Sequence, residues 1–226
     1  MICDPDYCIN NEIYQSSDCI EPDNRVNETE TDCWEEMKTL RLKHPKNIII
    51  GYVNINSVRN KFEDFSNMVK DKFDILIIAE TKLNPSFPND QFSINGFKTP
   101  YRLDVSENSG GLLVYIREDI ISKKLEGIRI PKDIQVIPIE INIRKTKWLI
   151  LPIYKKPTQD PKYFVDNISN IVDGFGKSRE NVLILGDFNM EVQEKRALHH
   201  CMICINYIVS IKDQHASKLQ RVDVST

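Results

Sequence analysis

The sequence predicts an α/β fold in which mixed β-sheets are covered by helices. Three observations predict it. Short β-branched runs of strand length recur along the chain, two segments carry apolar residues at helical spacing, and the two kinds alternate. The 226 residues are 41% hydrophobic and 28% charged, with a formal net charge of −3 and a pI near 5.9. That is ample for a core at the size of one domain, and it argues against disorder of the whole chain. Eight Gly and 11 Pro exclude collagen-like and low-complexity classes. No apolar run approaches the roughly 20 residues of a membrane span. The start, Met1 to Asp6, lacks the basic and apolar stretches of a signal peptide. The expectation is an intracellular protein, nuclear or cytoplasmic, with no membrane partner and no secretion.

Charge divides the chain. Residues 1–45 hold eleven acids and four Lys/Arg, a net of −7, whereas 46–226 carry a net of +4. The first part is polar and poor in aliphatics, and is expected to be an acidic, poorly ordered leader. The second is expected to be the globular domain, mildly basic, with a divergent tail from about 196. Cysteines at 3, 8, 19, 33, 201 and 204 match no paired zinc spacing and are expected to be free thiols. His199-His200-Cys201-Met202-Ile203-Cys204 has no second Cys pair, so buried thiols on a helix account for it better than a metal site.

The elements of the domain follow in order. Residues 47–54, with Ile48-Ile49-Ile50, read as a buried strand. Ser57 is placed to cap a helix over 58–70, with Val58, Phe62, Phe65, Met68 and Val69 on one face. Residues 74–80 form a second buried strand ending in a lone carboxylate, Glu80. A loop with Asn84-Pro85 and Phe87-Pro88 follows. Gly110-Gly111 precedes a strand over Leu112–Ile116. Two further strands are expected at 134–143 and 147–154, turning at Lys145-Thr146, with Ile137, Ile139, Ile141 and Ile143 on one face and Glu140 and Asn142 on the other. Asp160-Pro161 combines a cap with a first-turn proline and opens a helix that buries Phe164, Ile168, Ile171, Val172 and Phe175 and ends by Gly174 or Gly176. Residues 181–187 form the last clear strand. Beyond Met190 the pattern gives a helix to about 207 and a polar tail without a strand.

Polar residues gather at strand ends: Asn54 and Asn56, Glu80, Tyr154, Asp187 and Asn189. In sheet proteins such residues at one rim converge on a ligand crevice. Hard oxygen donors without a matching Cys/His set suggest Mg²⁺ or Mn²⁺, which one or two carboxylates hold together with a substrate phosphate. A phosphodiester or phosphomonoester substrate follows. Taken singly, Glu80 also reads as a solvated strand-end acid, Asp187 and Asn189 as turn formers, and Tyr154 as a core-edge aromatic.

Together these segments carry a resemblance. Asn54-Ile55-Asn56-Ser57-Val58-Arg59-Asn60-Lys61, Ala79-Glu80-Thr81-Lys82-Leu83, Gly110-Gly111, Ile153-Tyr154 and Gly186-Asp187-Phe188-Asn189 occur in that order. The set resembles the endonuclease/exonuclease/phosphatase superfamily, and within it the apurinic-endonuclease-like domain of non-LTR retrotransposons, over about 47 to 195. The resemblance implies two stacked mixed sheets flanked by helices, a four-layer sandwich. It also implies a divalent-metal-dependent endonuclease acting on DNA, with no small-molecule cofactor. Glu80 would ligate the metal, with Asn54 beside it at the metal or phosphate and Asn56 near the phosphate. Tyr154 would contact the scissile phosphate, Asp187 would activate the attacking water, and Asn189 would stabilise the transition state. Arg102, ahead of the double glycine, would contact the DNA backbone. The superfamily's closing Ser-Asp-His does not occur, and His215 lacks its context. The chain is therefore expected to be C-terminally truncated, with late strands of the second sheet missing and its activity impaired. The alternative is a non-catalytic remnant that acts as a binding module or has no function.

Overall fold

The computed structural model describes residues 39, 41–43, 45–176 and 181–189, and the backbone of 14–15 and 207–211. The expected helix toward 207, the six cysteines, the His199–Cys204 run and His215 lie outside the described residues, as does most of the leader.

The apolar runs become strands as expected. In chain order they are β1 (Tyr14–Gln15), β2 (Ile48–Asn54), β3 (Ile75–Ala79), β4 (Tyr101–Leu103), β5 (Leu112–Ile116), β6 (Ile121–Lys124), β7 (Gln135–Val136), β8 (Ile139–Ile143), β9 (Thr146–Tyr154), β10 (Asn181–Asp187) and β11 (Tyr207–Ile211). Helices α1 (Phe62–Val69) and α2 (Pro161–Gly176) join them. The first sheet has the order β1-β11-β2-β3-β5-β4, and the second β10-β9-β8-β6 with β7 also on β9. Each sheet contains one parallel pair, β2 with β3 and β9 with β10. The remaining pairs are antiparallel.

Period-two alternation sorts the strand residues into three apolar layers. Ile50, Ile75, Ile77, Leu112 and Val114 of the first sheet meet Ile139, Ile141, Ile150 and Leu185 of the second. The other face of the first sheet, through Ile49, Leu76 and Ile78, buries Phe65 and Val69 of α1. The other face of the second, through Leu149, Leu151 and Ile184, buries Phe164, Ile168, Ile171 and Phe175 of α2. Helix, sheet, sheet and helix are the four layers. Each fully buried isoleucine contributes about 1.5–3 kcal/mol by leaving water.

α2 starts as its sequence requires: the Asp160 carboxylate accepts the Tyr163 N–H at 2.7 Å, with Pro161 next in the first turn. Five expectations are corrected. α1 begins at Phe62 rather than 58, and Ser57 does not cap it. Ser57 and Val58 instead donate their N–H groups to the carbonyls of Glu80 and Thr81, at 2.7 and 3.1 Å, which draws 55–58 into an extension of the sheet. Met68 is 40% exposed, off the buried face. The strand expected over 134–143 breaks at Ile137-Pro138, because proline has no N–H for the ladder, although Ile137 still donates to Pro152 O at 3.2 Å. The turn between β8 and β9 is Arg144-Lys145, both left-handed with φ of 50° and 70°. Finally, the tail contains a strand after all: β11 pairs with β2, Val209 opposite Ile50. Its sequence does not alternate cleanly, and the pairing comes from the open edge of β2.

The far end of β3 is fixed by a buried carboxylate. Asp74, with a side chain 0% exposed, receives Arg41 at 2.6 Å, Arg117, and the Ile49 N–H at 2.6 Å. Arg41 lies ahead of the expected boundary at 46, and it also donates to Asn47 O at 3.2 Å.

Candidate active site

Both parallel pairs end at one rim. In register, Asn54 stands opposite Ala79 and Asp187 opposite Tyr154. Glu80 therefore leaves β3 beside Asn54, and the two sheets deliver four polar side chains to one place. Asn54 Nδ2 donates to Glu80 Oε1 at 2.9 Å and to Asp187 Oδ2 at 3.2 Å. Tyr154 Oη donates to the same Glu80 Oε1 at 2.8 Å. Two carboxylates from different sheets thus share one amide donor, which offsets part of their mutual repulsion.

The outer residues brace this group. Asn56 N donates to Asn54 Oδ1 at 3.1 Å, which fixes the Asn54 amide with its nitrogen toward the carboxylates. The Asn56 side-chain oxygen in turn accepts from the Lys82 ammonium. Asn189 N donates to Asp187 Oδ1 at 3.0 Å, so both Asp187 oxygens are held. Asn56, Glu80 and Asn189 have φ of 46°, 51° and 42°. Left-handed backbone is costly for Glu, and three such residues around one cluster mark stored strain.

Of the residues singled out in the sequence, Asn54, Glu80, Tyr154 and Asp187 touch directly, while Asn56 and Asn189 join through Asn54 and Asp187. Arg102 does not join. Its guanidinium serves Asp104 (3.2 and 2.8 Å), Phe87 O (2.8 Å), Asn89 (2.9 Å) and Asn84 O (3.3 Å), which ties down the loop after β3.

Three residues are missed by sequence reading. Tyr52 Oη accepts the Asp187 N–H at 2.9 Å from the first sheet. Burial, and then the Asp187 charge, push this hydroxyl well above its ordinary pKa. Tyr154 is likewise pushed up, first by burial and then by its bond to Glu80, so both phenols stay protonated. Gln135, 1% exposed, accepts the Gly111 N–H at 2.8 Å. The double glycine is required there: Gly110 and Gly111 have φ of 71° and 94°, and a Cβ would meet Gln135 at 2.6 Å and Thr81 Oγ1 at 2.3 Å. Lys82 N then donates to Gly110 O at 3.0 Å, which holds the Glu80 loop. Lys155, also 1% exposed, is the third. The only sequence signal of all three is a polar residue inside or just after an apolar strand.

Among the described residues no three His, Cys, Asp or Glu side chains come together. The rim offers two carboxylates with an amide and a phenol, all hard donors. This set fits a magnesium-like ion held by one or two carboxylates and a phosphate, and not a thiolate or imidazole metal.

Residues 51–202 match the Endonuclease/Exonuclease/phosphatase family. The chain belongs to that family. Solved structures with this family's fold resemble it at low identity. A humanized D. rerio TDP2 gives a TM-score of 0.52 at 11% identity, covering 70% of this chain and 72% of that one. An endonuclease/exonuclease/phosphatase family protein from Bacteroides thetaiotaomicron gives 0.51 at 13%, covering 67% and 68%. The endonuclease domain of TRAS1, a telomere-specific non-LTR retrotransposon, gives 0.48 at 11%, covering 65% of this chain. The chain spans 61% of the length of that domain. No curated protein sequence matches the chain.

Proposed function

We propose that the chain is a divalent-metal-dependent phosphodiesterase that nicks DNA, of non-LTR retrotransposon descent, working in the nucleus or cytoplasm. The observation that carries this reading is the bridge from Asn54 to both Glu80 and Asp187, with Tyr154 on Glu80. Glu80 is the residue to hold Mg²⁺ or Mn²⁺, with Asn54 setting its orientation. The ion, when bound, supplies positive charge against the phosphate oxygens. Asp187, held by Asn54 and the Asn189 N–H, orients a water and takes its proton. The water oxygen bonds to phosphorus as the ester P–O bond breaks, and the leaving oxygen takes a proton from solvent. Tyr154, kept protonated, donates to a phosphate oxygen once substrate displaces it from Glu80. Asn189 offers its amide to the charge that develops there, and Asn56 with Lys82 meets the neighbouring phosphate.

Nicking of supercoiled plasmid in Mg²⁺ tests the proposal, with wild type compared against Glu80→Ala and Asp187→Ala. Nicking by wild type and its loss in both variants support it. The alternative outcome is DNA binding without turnover. Retarded plasmid without nicking, identical in all three proteins, would establish that reading instead.

A further inference from the structure

Lys155 follows Tyr154 at the end of β9 and is 1% exposed. A buried ammonium is costly unless hydrogen-bonded, so its partners define why it is there. Nζ donates to the carbonyl of Asn189 at 3.3 Å and to that of Lys156 at 3.2 Å. The main chain of the same residue completes a clasp. Lys155 O accepts Asn189 Nδ2 at 2.8 Å, and Lys155 N donates to Asp187 O at 2.9 Å. Lys155 therefore grips the Asp187–Asn189 turn at three points, two of them on Asn189. That turn is the strained one, with Asn189 at φ of 42°. A left-handed residue persists only where its surroundings over-determine it.

We propose that Lys155 is a positioning residue for Asn189 and, through the Asn189 N–H, for the Asp187 carboxylate. The proposal rests on the phosphodiesterase reading above. The ammonium holds the Asn189 carbonyl inward, which keeps the Asn189 N–H on Asp187 Oδ1 and the Asp187 carboxylate at the rim. An apolar side chain of the same length fills the volume but leaves a half-buried carbonyl without that donor, and the turn relaxes.

Lys155→Met is the test, in Mg²⁺ with plasmid substrate. The expected result is a loss of about 10–100-fold in kcat with KM within about threefold, since the lost geometry matters most in the transition state. The loss is expected to shrink to about twofold or less when Lys155→Met is added to Asn189→Ala, because the two act as one unit. An unchanged kcat, full additivity with Asn189→Ala, or a change in KM alone would overturn the proposal. A second readout needs no activity. In ¹⁵N NMR spectra, the Asn189 backbone and side-chain amide signals move toward random-coil positions in Lys155→Met, while those of β2 and β5 stay in place. Unmoved Asn189 signals overturn the proposal even if wild type does not nick, whereas absent nicking with moved signals counts only against the phosphodiesterase reading. Should Lys155→Met not fold, Lys155→Gln is measured in the same two ways. This variant keeps a shorter neutral donor, and a partial loss is expected.

Discussion

Tyr52 and Asp187 are joined across the two sheets: the phenol oxygen of Tyr52 accepts the Asp187 main-chain N–H at 2.9 Å. A side chain in the second strand of the chain thus fixes the last residue of β10. Tyr52→Phe leaves that N–H without its partner in a mostly dry place, at a cost of about 1–3 kcal/mol. Urea unfolding is expected to show this loss with an unchanged m-value, and nicking is expected to fall with it.

Alkaline stability follows from the two phenols. Burial raises both Tyr52 and Tyr154 above the ordinary tyrosine value, with Asp187 adding to the first and Glu80 to the second. The folded state thus holds their protons more tightly than the unfolded chain, whose tyrosines titrate at about 10. Their contribution is fully present below that value and declines as pH rises above it. Urea midpoints followed from about pH 8 to about pH 11 are expected to drop less for Tyr154→Phe than for wild type.

The double glycine separates two causes of strain. Gly111→Ala is expected to cost more than Gly96→Ala, although both positions have positive φ, 94° and 86°. At Gly96 a Cβ meets nothing within 4 Å, so only the backbone term of about 1 kcal/mol applies. At Gly111 it runs into Thr81 Oγ1, and a cost of about 2–4 kcal/mol is expected. Thermal melts of the two variants check the order.

Asp74→Asn is expected to destabilise by about 3–5 kcal/mol, because Arg41 and Arg117 both point at a carboxylate that is 0% exposed. Denaturant unfolding measures it. The site lies at the opposite end of β3, so the folded fraction is expected to retain its nicking rate per molecule.

Divalent metal is expected to stabilise the protein. At ten times its dissociation constant Mg²⁺ adds about 1.4 kcal/mol, or about 3–6 °C in Tm for a domain of this size. Glu80→Ala is expected to abolish that shift, and EDTA to reverse it in wild type. Differential scanning fluorimetry reads both.

Much of the architecture was legible because buried strands are written locally. Ile48-Ile49-Ile50, Ile75–Ile78 and Leu183–Leu185 have too few polar residues to be anything but strand interior, and Asp160-Pro161 marks a helix start by itself. Glu80 and Asp187 stood out because each ends an apolar strand within one of a set of motifs that occur in order along the chain. Ser57 misled for the converse reason. Its local capping signal is outweighed by two main-chain bonds to Glu80 and Thr81, residues with no sequence tie to it. β6 and β11 were illegible because they form by pairing against β8 and β2 rather than by their own pattern.

The site was legible only in part. The positions of Asn54, Glu80, Tyr154 and Asp187 follow from strand ends, but their meeting does not. Tyr52 hides in a strand whose partner atom is 135 residues away, and nothing local distinguishes it from a core aromatic. Arg102 resembles a backbone contact by its place ahead of the double glycine, and its hydrogen bonds to Asp104, Phe87, Asn89 and Asn84 could not be read from that place.

The bond from Asn54 to Asp187 closes a stretch of 133 residues. Contacts of such separation pay their loop entropy late, after the local hairpins have formed. The rim therefore comes into being as one of the last events of folding, and during synthesis it is incomplete until β10 has left the ribosome. A nascent chain that already holds β2, β3 and its paired glycines still lacks Asp187, so the Asn54 bridge between the two carboxylates forms only once β10 is added.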